Sequence, residues 1–359
     1  STIVSWKYTS LLAKHFFMWF GTKNPEVICI GSTSQDIFFP TDEGTILETP
    51  EDITAKEKIA FELGGKYRVA DRYEAIGGVA ANVSVGLARL GHQVAPYSCV
   101  GGDALGKILL KEFEEEGVLT NLVCQQADAR TDLSAIIVLT QNGERTIFHN
   151  RDANERLVVE EAKLRGAKWL FVSALNGNWE TNMDTLLSAK EKFGLKLALN
   201  PGQHNIKENP KRIFDTLPSV DLLLLNKDEA IELLLQSTPK PTNAELDDEL
   251  FLLEKLAQTG VKCIGMTDGK RGSWGYDGKE YWHCPIHTRI KVVDSTGAGD
   301  AFGSGFFAAH LTGKPLSRAL QYGMANSGSV VGFYGAVEGL LTPHEMEEIS
   351  AKITPKRLR

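Results

Sequence analysis

Short, nearly uninterrupted apolar runs alternate along this chain with segments of helical spacing, and this alternation restricts the fold more than any other feature. EVICIG (26–31) reads as a buried strand, VAANVSVGLARLG (79–91) as a helix closed by Gly91, VAPYSCV (94–100) as a strand and LGKILLKEFEEEG (105–117) as a helix closed by Gly117. The rhythm continues through WLFVSA (169–174), a helix over 180–193, LKLALN (195–200), VDLLLLN (220–226), a helix from Lys227 and VKCIGMT (261–267). A strand that is apolar at nearly every position has no solvent face, so helices must cover both faces of its sheet. The expected class is α/β, with a doubly wound, mostly parallel sheet.

Two regions break the rhythm. Between Asp36 and Gly77 lie an acidic loop, TDEGTILETPEDITAKEK, and two short alternating segments, IAFEL (59–63) and KYRVA (66–70), which together read as a small β lid inserted over about 37–76. TDLSAIIVLTQNGERTIFHN reads as a hairpin over about 132–150 turning at Asn142-Gly143, a second lid element. The extension 1–24 stands apart from the main domain (25–359). Leu12, Phe16, Trp19 and Phe20 fall at helical spacing there, which suits docking on the protein's own surface or on a second subunit, with membrane-surface contact as the alternative.

A net charge of −7 over 359 residues argues against a phosphate-backbone binder, so nucleic acid is not an expected partner. No apolar run is long enough to suggest a spanning helix, and no membrane is expected. Five cysteines without a CxxC pair suit reduced thiols and a cytoplasmic setting.

The chemistry concentrates in KVVDSTGAGDAFGSGFFAAHL (291–311). A strand ending at Val293 leads through Asp294 to Gly297-Ala298-Gly299, and a helix starts at Asp300. The glycines admit a ligand to the backbone, and the unpaired N–H groups of the first helical turn form an anion site. Asp300 in that turn has the chemistry of a general base for an attacking hydroxyl, although an isolated aspartate there more often only favours the helix N-terminus. Competing motifs fail on chemistry. GGDALGK (101–107) has the spacing of a P-loop, but Ile108 stands where magnesium needs a hydroxyl. The glycines of Gly303-Ser304-Gly305 lie inside a helix rather than at a strand-to-helix turn. His283 and His287, flanking Cys284, are separated by Pro285 and have no second ligand pair for zinc.

Gly77-Gly78-Val79-Ala80-Ala81-Asn82 near the start and Asp294-Ser-Thr-Gly-Ala-Gly-Asp300 near the end together resemble the two signatures of the ribokinase-like, or PfkB, carbohydrate kinases. The likeness runs from about Val27 to about Pro343. It implies a ribokinase-like fold with a β lid, and an ATP- and Mg²⁺-dependent transfer of phosphate to a primary hydroxyl of a free sugar. A nucleoside kinase of the same family and a catalytically silent binding protein are the alternatives.

Residue by residue, the resemblance implies Asp300 as catalytic base, with the amides of Gly297, Ala298 and Gly299 as the anion hole. Asn226 and Glu229 would order Mg²⁺, largely through water. Thr267, Gly269 and Gly272 would meet the nucleotide, with Asn326 near the adenine. Asp294 would help hold an activating monovalent cation, K⁺, with carbonyls around Gly335. Asp36, Gly78, Asn82 and Asn200 would bind the acceptor. The ribokinase pattern GGKGAN is altered here to Val79 and Ala80, and the missing lysine weighs against ribose and against a phosphorylated sugar. A homodimer through the lid or the N-terminal extension is the expected assembly.

Overall fold

The computed structural model describes residues 24–49, 57–141, 143–286 and 292–359. The predicted N-terminal helix and Asn142 therefore lie outside the described residues.

Nine strands form the central sheet in the order 356–357, 281–284, 273–276, 263–267, 222–226, 196–200, 169–173, 27–30, 94–97. From 263–267 to 94–97 all neighbours are parallel, and the three strands at the other edge are antiparallel. The predicted mostly parallel α/β sheet is present. Alternate residues of each strand enter two separate cores: Ile28, Leu170, Leu197, Leu223 and Ile264 on one face, Val27, Phe171, Ala198, Leu224 and Cys263 on the other. This is why the runs read as continuously apolar. The Ala298–Leu311 and Leu316–Val330 helices fill the second core with Phe302, Phe306 and Leu320. No described helix is long and apolar enough to cross a membrane.

A second, four-stranded sheet runs 145–150, 133–139, 34–41, 73–77. The hairpin predicted over about 132–150 supplies two of its strands, paired antiparallel from Leu133↔Asn150 to Val138↔Arg145. The insertion differs from expectation. Its ends, Ser34–Thr41 and Tyr73–Gly77, are the strands of this sheet, while KYRVA is not a strand and IAFEL contributes only its first two residues to a separate ribbon, Thr45–Glu48 with Glu57–Ala60. Partners distant in sequence decide the pairing: Ser34–Thr41 lies between Tyr73–Gly77 and Leu133–Leu139, and local alternation carries no trace of that.

Two smaller expectations also change. The run 94–100 breaks at Ser98, whose buried hydroxyl bonds the Thr33 hydroxyl at 2.7 Å, and Cys99–Gly101 pairs instead with Cys124–Gln126. Val292 and Val293 are not in a strand; the N–H groups of Val293 and Asp294 both reach the Val331 carbonyl, at 2.8 and 3.3 Å.

Candidate active site

A cleft of about 770 Å³ opens at the carboxyl ends of the parallel strands. Its walls include the residue at or just past the end of four neighbouring strands: Ala174, Asn200, Asn226 and Thr267. Ligand sites of doubly wound sheets collect at this edge. Ala174 has a φ of 36°, a left-handed conformation that a residue with a Cβ rarely adopts, so the chain is strained where it meets the cleft.

On the facing wall the Ala298–Leu311 helix presents its first turn. Gly297 caps it at φ 73°, the Ala301 N–H closes the turn on the Gly297 carbonyl at 2.8 Å, and Gly299, Asp300 and Phe302 line the cleft. The helix thus begins at Ala298, two residues earlier than expected, which puts Asp300 within its first turn. The Ala298 N–H leans toward the Ser295 carbonyl at 3.4 Å, whereas those of Gly299 and Asp300 donate to no protein atom among the described residues. The Gly297 N–H is likewise unpaired among the described residues, so two of the three predicted anion-hole amides, Gly297 and Gly299, are free donors and Asp300 adds a third.

Asp300 is half-buried at the base of the cleft, and its Oδ2 accepts a 2.7 Å hydrogen bond from Asn82 Nδ2. Burial pushes its carboxyl up to about 6; the Asn82 bond opposes the rise and the charge of Asp36 adds to it. Asp36 is 7% exposed in the second sheet, and Gly77 makes room for it: a Cβ there would come within 2.2 Å of the carboxyl carbon. Burial and the neighbouring Asp294 charge raise the Asp36 pKa, against bonds from Ser134 and Ser34. Of the predicted acceptor residues Asn200 lines the cleft directly, and Asn82 borders it through its bond to the cleft-lining Asp300.

Asn226 and Glu229 form a reciprocal cap on the Lys227–Leu234 helix. The Glu229 N–H donates to Asn226 Oδ1 at 2.9 Å, and the Asn226 N–H donates to Glu229 Oε2 at 3.0 Å. Burial first, and then the charges of Glu232, Asp228 and Asp300, lift the Glu229 carboxyl to about 7. A carboxylate among other negative charges, with one oxygen unused by the cap, fits a water-mediated Mg²⁺ site. Asp294 is fully buried; its Oδ1 accepts from the Thr296 N–H at 3.0 Å and hydroxyl at 2.8 Å, and its Oδ2 accepts from the Gly335 N–H at 3.4 Å. No cationic side chain pairs with it among the described residues.

Three residues predicted to meet the nucleotide are not among those that line this cleft. Gly269 (φ 45°) and Gly272 (φ 99°) bound a tight turn after Thr267 and do not line the cleft. Asn326 is a brace: its Nδ2 donates to the Ala301 carbonyl at 3.0 Å and the Ser304 hydroxyl at 3.1 Å, while its Oδ1 accepts from the Leu341 N–H at 3.0 Å. Its side chain is thus occupied by the fold. Asn326→Ala is expected to lower stability by about 2–4 kcal/mol, from the buried partners left unpaired, with the KM for ATP unchanged. Urea unfolding and initial-rate kinetics check both.

The cleft also carries residues that no motif announced: His149 and Arg151 from the end of the hairpin, Glu155 beyond it, and Gln203, His204 and Lys207 from the short helix after Asn200. Arg151 and Lys207 have no ion-pair partner among the described residues.

The sequence profile of the pfkB family carbohydrate kinases matches residues 24–343. The chain belongs to that family. It is 30% identical over 261 residues to an uncharacterised sugar kinase of Archaeoglobus fulgidus, covering 71% of this chain and 98% of the relative. Against the ribokinase of Haemophilus influenzae it is 28% identical over 299 residues, covering 80% and 92%. The ribokinase of Arabidopsis thaliana, solved with ribose and ATP, superimposes with a TM-score of 0.72 at 21% identity, covering 91% of this chain and 99% of that one. The fold of this pfkB-family kinase is that of ribokinase.

Proposed function

We propose that this chain transfers the γ-phosphoryl group of ATP to a primary hydroxyl of a free sugar. The observation that carries the reading is Asp300: a carboxylate poised near neutrality, in the same helical turn as two free amides, across one cleft from the Asn226–Glu229 pair. Asp300 would take the proton of the attacking hydroxyl while the amides of Gly299 and Asp300 meet the charge on the transferred group. Mg²⁺, ordered by Glu229 through water, would neutralise the nucleotide phosphates. A monovalent cation at Asp294 would fix the loop that leads into the helix. The match to the pfkB family carbohydrate kinases over residues 24–343 and the 28% identity to a ribokinase support a sugar as the acceptor class.

A second reading has its own observation. Arg151 and Lys207 face the cleft unpaired and offset the lysine missing from the GGVAAN segment, which favours an acceptor carrying a carboxylate or phosphate.

ADP release measured with ATP, Mg²⁺ and single acceptors decides among these. Free hexoses and pentoses should stimulate release on the first reading and sugar acids or sugar phosphates on the second. A nucleoside as the best acceptor would replace both. ATP binding without release for any acceptor would leave a silent binding protein. Under the cation reading, rates in potassium exceed those in tetramethylammonium.

A further inference from the structure

We infer that Asn82 is a positioning residue: its amide fixes the base Asp300 with Nδ2 and leaves Oδ1 to an acceptor hydroxyl, so that substrate recognition and base orientation share one side chain. The inference rests on Asp300 being the base.

The helix pair builds the contact. Asn82 lies in the Val79–Arg89 helix and Asp300 in the Ala298–Leu311 helix. One turn further along both, Gly86 meets Ser304 so closely that a Cβ on Gly86 would come within 2.4 Å of the Ser304 hydroxyl. Residues four apart share a helix face. The tight Gly86–Ser304 approach therefore sets the register that brings Asn82 opposite Asp300, where the 2.7 Å bond forms.

The amide's orientation follows from charge. A carboxylate accepts only, so Nδ2 must face Asp300, and Oδ1 must point elsewhere. Asn82 is 5% exposed, and its Oδ1 is buried without a partner among the described residues. A buried acceptor left unpaired is unfavourable until a donor arrives. An acceptor hydroxyl supplies that donor, and binding it holds the amide, and hence the carboxylate, in place. With Oδ2 occupied by Asn82, Oδ1 of Asp300 is the oxygen left to receive the proton of the reacting hydroxyl.

The charged groups around Asp300 come from several elements. Asp36 of the second sheet and Glu229 of the Lys227–Leu234 helix are acidic, as is Glu155 in the cleft lining, while His149, Arg151, His204 and Lys207 are the basic side chains of the cleft. Asn82 is the neutral donor that contacts the carboxylate directly, and it favours the ionised form.

The test is the pH profile of kcat in Asn82→Leu, with Asn82→Ala as the second variant should leucine prevent folding. Loss of the donor should move the acid limb up by about one pH unit, which lowers kcat roughly threefold at pH 6.5 and is recovered at pH 8.5. The KM for ATP stays as in wild type. An equal loss at every pH would reduce Asn82 to a structural role, and a raised acceptor KM with an unmoved limb would reduce it to substrate contact; either overturns the inference. If wild type itself shows no acid limb, the base assignment fails instead.

Discussion

Asp300→Asn is expected to lower kcat by roughly 10²- to 10⁴-fold, the contribution of a positioned general base, while the KM for ATP changes little. Asparagine keeps the shape of the side chain but cannot take the proton of the attacking hydroxyl. In wild type, kcat should fall as the pH drops through about 6, where Asp300 becomes protonated, and in the variant that limb should disappear. Stability should move the other way. A folded-state pKa above the usual carboxylate value means that the group's stabilising contribution is complete at low pH and is lost as the pH rises through about 6. At pH 7 the wild type therefore holds a destabilising buried charge that asparagine lacks. The variant should melt at or above the wild-type temperature at pH 7, with the difference shrinking toward pH 4. Near-normal kcat in a folded Asp300→Asn protein would remove Asp300 from the chemistry.

The route from sequence to this site was legible where local chemistry decides structure. Strands buried on both faces announced themselves, and Gly297-Ala298-Gly299-Asp300 announced a helix start. Asn226 and Glu229, grouped only by the resemblance, also cap one helix reciprocally, a role that was not read from their spacing. What stayed hidden depends on contacts between distant segments. The second sheet assembles from strands far apart in the chain. Arg151 and Lys207 reach one cleft from a hairpin and from a helix after a different strand. Asn326 looked like a nucleotide ligand by resemblance, but the close approach of the Ala298–Leu311 and Leu316–Val330 helices, where a Cβ on Gly305 would meet the Tyr322 carbonyl at 2.6 Å, turns its amide into a brace.

Gly299→Ala and Gly297→Ala separate the proposed anion site from the fold that holds it. A Cβ on Gly299 would meet nothing within 4 Å, and the residue lines the cleft, so alanine fits the empty protein. Replacing a helical glycine should leave stability unchanged or raise it by up to about 1 kcal/mol. The same methyl group stands where a phosphoryl group would have to approach the Gly299 and Asp300 amides. The expected result is kcat/KM reduced by about 10²- to 10³-fold, the scale of losing such a donor, in a protein that melts no lower than wild type. Gly297→Ala should do the reverse in order of cause. Its φ of 73° disfavours a side chain, and a Cβ would come within 2.2 Å of the Ala336 Cβ and 2.5 Å of its Cα. Ala336 is buried, so the loop from Asp294 into the helix must shift, at a cost of about 1–3 kcal/mol in stability, and activity falls because the amides move. Adding Ala336→Gly should recover part of the stability lost in Gly297→Ala and none of the activity lost in Gly299→Ala. Thermal melts and initial rates on the four proteins check this pattern. Wild-type kcat/KM in Gly299→Ala would mean that no phosphoryl group approaches this turn, and the anion site would have to be sought elsewhere in the cleft.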